Sequence, residues 1–137
     1  MWATAEETMQ PVAGSRDPVE RIGFAAEALL REVLAYQGAV RVAISAAITR
    51  PFAAGLRPGR RFGLIDEALR PLSATLAVRD PEKFEQLKRG LAVVVSAEAL
   101  FTLTDLCGLE PDVAIASAAE TARSLSAAAL ADRCRGR

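Results

Sequence analysis

Apolar residues recur at intervals of three and four along most of this chain, and no segment alternates apolar and polar residues at every second position. The first spacing places side chains on one face of an α-helix, whereas the second is typical of a half-buried strand. The pattern therefore predicts an all-α fold. A chain of 137 residues suits one helical bundle with a substantial core, in which helices pack on helices.

Asp-Pro pairs, glycines and prolines set the predicted helix boundaries. Asp17 and Asp80 can each cap a helix, and the proline after each one fits the first turn, where its missing N–H is not needed. Gly108 can end a helix in the left-handed conformation. Residues 53–59, rich in glycine and proline, are predicted to form a loop. Helices are expected over about 17–36, 39–50, 60–70, 81–107 and 111–133, with a further short one near residue 78.

The chain is predicted to divide into a short N-terminal lead, residues 1–16, and one helical domain, residues 17–137. Residues 4–10 can form a brief helical piece. Pro11 and Gly14 follow it, and we expect them to leave the lead detached from the domain.

Charge and residue types narrow the classes of function. Seventeen basic residues balance seventeen acidic ones, so no net positive charge attracts nucleic acid or an anionic membrane. The chain has no histidine, which excludes a Ser-His-Asp triad and the commonest zinc sites. Cys107 and Cys134 match no metal-ligand spacing and are expected to be free thiols in a reducing cytoplasm. We expect a cytoplasmic protein that is not an enzyme, has no cofactor and does not enter a membrane.

Small residues dominate the last predicted helix. Ala114, Ala118 and Ala122 form a row at i, i+4, and such a row lets a second helix approach to about 8 Å. Together with Leu125 and Ala129 they are the predicted dimer interface. The preceding helix is apolar on more than one side, so the last two helices are predicted to form a four-helix bundle with a second copy. Packing of the alanine row within its own chain is the alternative.

The stretch LAVVVSAEALFTLTDLCGL over residues 91–109, followed by Glu110-Pro111-Asp112 and an alanine-rich helix, resembles the C-terminal domain of TetR-family transcriptional regulators. Members of that family carry a long apolar helix that ends in an Asp-Leu-x-Gly-Leu turn, then a capped last helix of small residues. The resemblance spans about residues 17–133. It implies a homodimeric helical domain that binds a small, apolar effector.

The resemblance does not extend to DNA binding. TetR-family repressors begin with a helix-turn-helix domain, whereas 16 residues precede Asp17 here and Arg16 is their only basic residue. A recognition helix and its phosphate contacts cannot be built from them. We therefore expect no nucleic acid binding by this chain alone, which is either a fragment of a longer repressor or a protein that kept only the sensor half.

Candidate ligand-binding residues are those expected to line an effector pocket between helices, which is usually apolar with a few polar groups. The apolar candidates are Phe52, Phe62, Ile65 and Phe101, and the polar candidates are Ser45, Thr49, Ser96 and Thr102. Core packing is the alternative for each apolar candidate. A hydrogen bond to its own helix is the alternative for each polar one.

Glu98 is a carboxylate inside the longest apolar run of the chain. With Thr102 at i+4 and Asp105 at i+7 it forms one polar strip along the predicted helix. Three interpretations are open: an ordinary solvated strip, a hydrogen bond at a dimer interface, and a group that faces a ligand.

Two functions are compatible with these patterns. One is a dimeric sensor domain, and the other is a helical dimerisation module with no ligand, which would titrate full-length repressors into inactive heterodimers. An enclosed cavity would distinguish them, because a module that only dimerises should have a filled core.

Overall fold

The computed structural model describes residues 3–49 and 59–131. These residues form helices and no strand, which confirms the predicted all-α bundle. The elements are α1 (Ala5–Thr8), α2 (Pro18–Ala35), α3 (Gln37–Thr49), α4 (Arg60–Ala68), α5 (Leu76–Arg79), α6 (Pro81–Val94), α7 (Ala97–Phe101) and α8 (Pro111–Ala131), with 3-10 turns over Gln10–Val12 and Arg70–Leu72 and a π-helical turn over Thr102–Leu106. None of these helices is both long enough and apolar enough to cross a membrane.

The predicted caps are in place. The Asp17 carboxylate accepts a hydrogen bond from the N–H of Val19 at 3.0 Å, and the Asp80 carboxylate accepts one from the N–H of Lys83 at 3.1 Å. Each satisfies a donor that the first turn of a helix leaves unpaired. Gly108 has a φ of 69°, which lets the chain turn before α8 without a clash from a Cβ atom.

The helix pair α2 and α8 forms the centre of the bundle, because α8 packs more extensively on α2 than on any other element. The alanine row of α8 lies inside the bundle: Ala114, Ala118 and Ala122 are 0%, 3% and 0% exposed within the single chain. Ala129 is also buried. These four side chains have no surface left for a partner, so the prediction that they form a dimer interface is wrong. Their alternative, packing within the chain, is correct.

Leu125, the fifth predicted interface residue, is half-buried against the core. A β-carbon built on Gly90 of α6 would lie 3.6 Å from Leu125 Cδ1, an ordinary contact distance, so Leu125 packs beside α6. Leu125 therefore packs between elements of its own chain.

The predicted helix over 81–107 is broken, because α6 ends at Val94 and Ser96 is extended, with φ −153° and ψ 154°. Ser96 Oγ accepts a hydrogen bond from the N–H of Ala99 at 3.0 Å and donates one to the carbonyl of Val93 at 2.7 Å. A serine competes for backbone hydrogen bonds in this way, and three preceding valines weaken the helix that it interrupts. The prediction of one continuous helix is wrong for this reason.

The N-terminal segment is not detached, contrary to the expectation from the sequence. Helix α1 confirms the helical piece, and Met9 after it is 1% exposed within the core. Arg21 of α2, 3% exposed, holds the segment by donating to the carbonyls of Val12 and Ser15. Its other donors reach the carbonyls of Ala68 and Glu67 at the end of α4. One buried guanidinium thus joins three parts of the chain, and buried charge is tolerated when it is hydrogen-bonded in this way.

Helix α3 begins at Gln37, directly after Tyr36 ends α2, and none of its residues is buried. It contacts the core through the half-buried side chains of Val40 and Ile44. The predicted loop over 53–59 lies outside the described residues except for Gly59, which precedes α4.

We predict that Ser126→Ala stabilises the protein, because the buried Ser126 hydroxyl of α8 has no hydrogen-bond partner among the described residues. An unsatisfied buried hydroxyl costs about 1 kcal/mol or more of folding free energy. Chemical denaturation should show a gain of about 1 kcal/mol in the free energy of unfolding. Ser124→Ala, on the exposed side of the same helix, carries the same gain in helix propensity and should change it by less than ~0.5 kcal/mol. Equal effects of both substitutions would contradict the prediction.

Candidate functional site

A cleft of about 390 Å³ lies between α3 and the rest of the bundle, on the side formed by α2, α4 and α7. This volume falls within the range of small-molecule sites, which are mostly apolar with a few polar groups. Its apolar lining residues are Leu29, Val33, Ala39, Val40, Ala43, Ile44, Ala47 and Ala97. Its charged lining residues are Arg60, Arg61 and Glu98.

The side chains on the inner face of α3 explain why this space is open. Ala39, Ala43 and Ala47 form a row at i, i+4 that faces the cleft. A methyl group is too short to reach across to α2, so only the larger Val40 and Ile44 bridge the gap. On α8 an alanine row draws two helices together, whereas here the bulkier neighbours hold α3 away and the alanines leave room.

Arg61 supplies one polar end of the cleft. Its Nη2 lies 2.9 Å from Glu98 Oε2, and its Nη1 donates to the carbonyl of Ala92 at 2.9 Å. The side chains of Arg61 and Glu98 are 23% and 36% exposed, so this is a half-buried ion pair. It connects α4 to the end of α6 and to the start of α7. The Glu98 carboxylate lines the cleft, which is the position that the third interpretation, a group that faces a ligand, requires.

The break between α6 and α7 positions this ion pair. The carbonyl of Leu91 accepts the last regular i+4 bond, from the N–H of Val95, whereas two carbonyls after it find side-chain partners: Ala92 accepts from Arg61 and Val93 from Ser96. Glu98 then falls in the first turn of α7, where the helix dipole favours a negative charge.

Arg60 is fixed beside Arg61 but faces different partners. Its Nε and Nη2 donate to the two carboxylate oxygens of Glu32, each at 2.9 Å. It also donates to the carbonyl of Ala3 and to Thr8 Oγ1. The two-point contact with Glu32 holds the plane of the guanidinium, so both arginines of the cleft are held in place before any ligand arrives.

The residues predicted to bind a ligand are not brought together at the cleft. Ile65 is fully buried in the core, and Ser96 is the buried cap of α7. Thr49 Oγ1 donates to the carbonyl of Ser45 at 2.7 Å, and Thr102 Oγ1 donates to that of Glu98 at 2.8 Å. Ile65 therefore packs in the core, and the hydroxyls of Thr49 and Thr102 bond to their own helices. These are the two alternatives to ligand binding.

The remaining predicted residues also lie elsewhere. Ser45, Thr49 and Phe101 line a separate, shallow hollow of about 350 Å³. Phe62 is half exposed, and Phe52 lies outside the described residues. One signal in the sequence points to the site: Arg60 and Arg61 open a helix, where the dipole disfavours cations, so their partners must come from other elements. Within the described residues no cluster of acidic and cysteine side chains could hold a metal ion.

Arg41 connects α3 to the turn after α7. Its Nη1 and Nη2 donate to the two carboxylate oxygens of Asp105 at 2.8 and 3.1 Å. The guanidinium also lies over the ring of Phe101, 3.9 Å from the ring centroid. Hydrogen bonds from Arg41, and then from Thr104, lower the pKa of Asp105, and the carboxylate raises the pKa of Arg41. This pair is the main polar attachment of α3.

We predict that Asp105→Asn loosens α3 while the core is unchanged, because it removes the charge that Arg41 contacts. The same loss should occur in the wild type at acid pH. A carboxyl with a lowered native pKa stabilises the folded arrangement above its unfolded pKa of about 3.9, and that contribution disappears as the pH falls through the native value.

Hydrogen exchange at neutral pH should show a few-fold loss of protection in the α3 amides and no change in α2 or α8. Asp66→Asn, which removes a carboxylate 2.9 Å from Lys88 on other elements, is the matched control. Unchanged protection of α3 in the Asp105→Asn variant would show that its apolar contacts alone hold this helix.

The site therefore consists of an apolar cleft with two fixed guanidinium groups and one carboxylate at its charged end. No family model, curated protein or solved structure matches this chain. The function of the cleft is accordingly argued from its own residues and their contacts.

Proposed function

We propose that this chain is the ligand-sensing and dimerisation domain of a TetR-like transcriptional regulator, and that the cleft beside α3 binds its small, largely apolar effector. The observation that carries the proposal is the cleft itself, in which eight apolar side chains and three charged ones among the described residues surround about 390 Å³. That combination of volume and lining is typical of a ligand site. The resemblance in the sequence supplies the regulatory role.

The space beside α3 favours a sensor over a module that only dimerises. The core next to it is filled: Ile22, Leu30 and Leu91, for example, are fully buried. The cleft opens to the surface and is not an enclosed cavity, so it is its mostly apolar lining with a few charged groups that supports a ligand site. The cleft is not sealed by the described residues, and a ligand can reach it by displacing α3, which is lightly attached.

A sensor of this kind requires no contact of its own with DNA. The charges of the chain balance, so the electrostatic attraction that dominates DNA affinity is absent. The base-reading element of the regulator would be a separate part. Effector binding would then act by shifting α3 and the elements that contact it.

The proposed homodimer uses the outward side of α6 and α8, because the inward alanine row is occupied. Val93 of α6 and Val113 of α8 are 71% and 53% exposed. Thr121, Ser124 and Ala128 of α8 are also exposed and are small and uncharged. Such faces are commonly closed by a twofold copy, and this arrangement keeps the four-helix bundle that the last two helices were predicted to form.

We predict that a neutral lipophile such as decanol raises the melting temperature and that Ala43→Phe abolishes the rise, because a phenyl ring on the inner face of α3 fills the cleft. At a ligand concentration 100 times Kd the stabilisation is about 2.7 kcal/mol, or ~5 °C or more. Ala46→Phe, on the exposed side of the same helix, should respond as the wild type does. If a broad set of lipophiles gives no shift, or if Ala43→Phe responds normally, the cleft does not bind an effector.

We predict that Thr121→Arg converts a dimer to a folded monomer, because it places a large charge on the outward side of α8. Ala118→Arg should instead unfold the chain, since Ala118 is 3% exposed within the core of the single chain. Sedimentation at micromolar concentration together with circular dichroism separates these outcomes. Ala74→Arg, at an exposed position before α5, is the control and should remain dimeric. A monomeric wild type, or a Thr121→Arg variant that dimerises like its parent, would refute the interface, which should bury about 1,000 Å² or more.

A further inference from the structure

We infer that the cleft selects amphiphiles with a single negatively charged head, such as a carboxylate, over neutral or cationic ones of the same length. This inference depends on the proposed function, because it assigns the chemical class of the effector. The head would lie at Arg61 and Arg60, and the apolar chain would extend along the alanine row of α3.

The charged groups on the walls of the cleft favour an anionic head. Two guanidinium groups and one carboxylate line it, whereas Glu32, the partner of Arg60, contacts that arginine without lining the cleft. Among the described residues a ligand therefore meets two guanidinium groups and one carboxylate directly, while Glu32 offsets much of the charge of Arg60, so the preference for an anion comes from the N–H donors of the guanidinium groups. Attraction is strengthened beside apolar walls, where the local dielectric is lower than in water. A cationic head would meet repulsion at the same place.

Arg61 has hydrogen-bond donors left for a ligand. A guanidinium has five N–H donors. Arg61 uses Nη1 for the carbonyl of Ala92 and Nη2 for Glu98, and its Nε has no acceptor among the described residues. Donors therefore remain for a ligand oxygen. A charged acceptor makes a shorter and stronger bond with a guanidinium than an alcohol oxygen does.

Both Arg60 and Arg61 are held in a fixed geometry before a ligand binds. Glu98 and the carbonyl of Ala92 hold Arg61 from α7 and α6, while Glu32 holds Arg60 from α2. An incoming carboxylate thus pays little to order these side chains. Among the described residues of the lining, Glu98 is the group that repels such a head, so it sets an upper limit on the affinity.

The test compares decanoate, decanol and decylamine, which share an apolar chain and differ in the charge of the head. Isothermal titration calorimetry on the full chain, below the micellar concentration of each compound, measures the three Kd values. Decanoate should bind about tenfold or more tightly than decanol, in line with one charge-assisted hydrogen bond, and decylamine should bind most weakly. High salt should reduce the preference for decanoate.

Two variants assign that preference to the cleft. Arg61→Gln should bring decanoate and decanol to within about twofold of each other. Glu98→Gln should tighten decanoate binding, because it removes the competing carboxylate. The order of the three ligands on the wild type remains decisive if Arg61→Gln does not fold.

The outcomes separate this inference from the proposed function. Equal affinities for decanoate and decanol, or a preference for decylamine, would overturn the anionic head while leaving an apolar effector site intact. A preference for decanoate that persists in Arg61→Gln would also overturn it, because the charge would then be recognised elsewhere. If none of the three compounds binds, the cleft is not a site for lipophiles and both proposals are wrong.

Discussion

Close packing of α8 on α2 is the contact on which the other elements depend. The buried side of α8 consists largely of small side chains, with Ala114, Ala118 and Ala122 fully or almost fully buried, and larger apolar residues of α2 belong to the same core. Two helices packed this closely bury many atoms per unit length and form a rigid centre. The remaining helices attach to this pair, and their attachments differ in strength.

Arginines make several of those attachments, and their placement determines where the bundle is rigid. Arg21 and Arg60 hold the N-terminal segment, and Arg61 joins α4 to α6 and α7 across the break at Ser96. A guanidinium suits this role because its five donors can serve several carbonyls and a carboxylate together. The proposed ligand site thus has one wall that is fixed by the same contacts that stabilise the fold.

The opposite wall, α3, has the character expected of a movable element. It has no buried residue and is held by two half-buried apolar side chains and by the pair of Arg41 with Asp105. Elements that respond to ligands come from the least stable parts of a structure, since a small binding energy must be enough to move them. A rigid wall of arginines facing a lightly held helix is consistent with the proposed sensor.

Local signals in the sequence determined the helical class, the caps at Asp17 and Asp80 and the turn at Gly108, because each depends on backbone chemistry within a few residues. The break at Ser96 was also encoded locally, although the apolar run around it hid the serine cap. Only tertiary structure decided which helix the alanine row of α8 contacts, since small side chains permit close approach to a neighbour in the same chain or in another. The cleft was hidden for the same reason: alanines on α3 leave space only because α2 lies opposite, and Arg61 reaches Glu98 only after α4 and α7 are packed together.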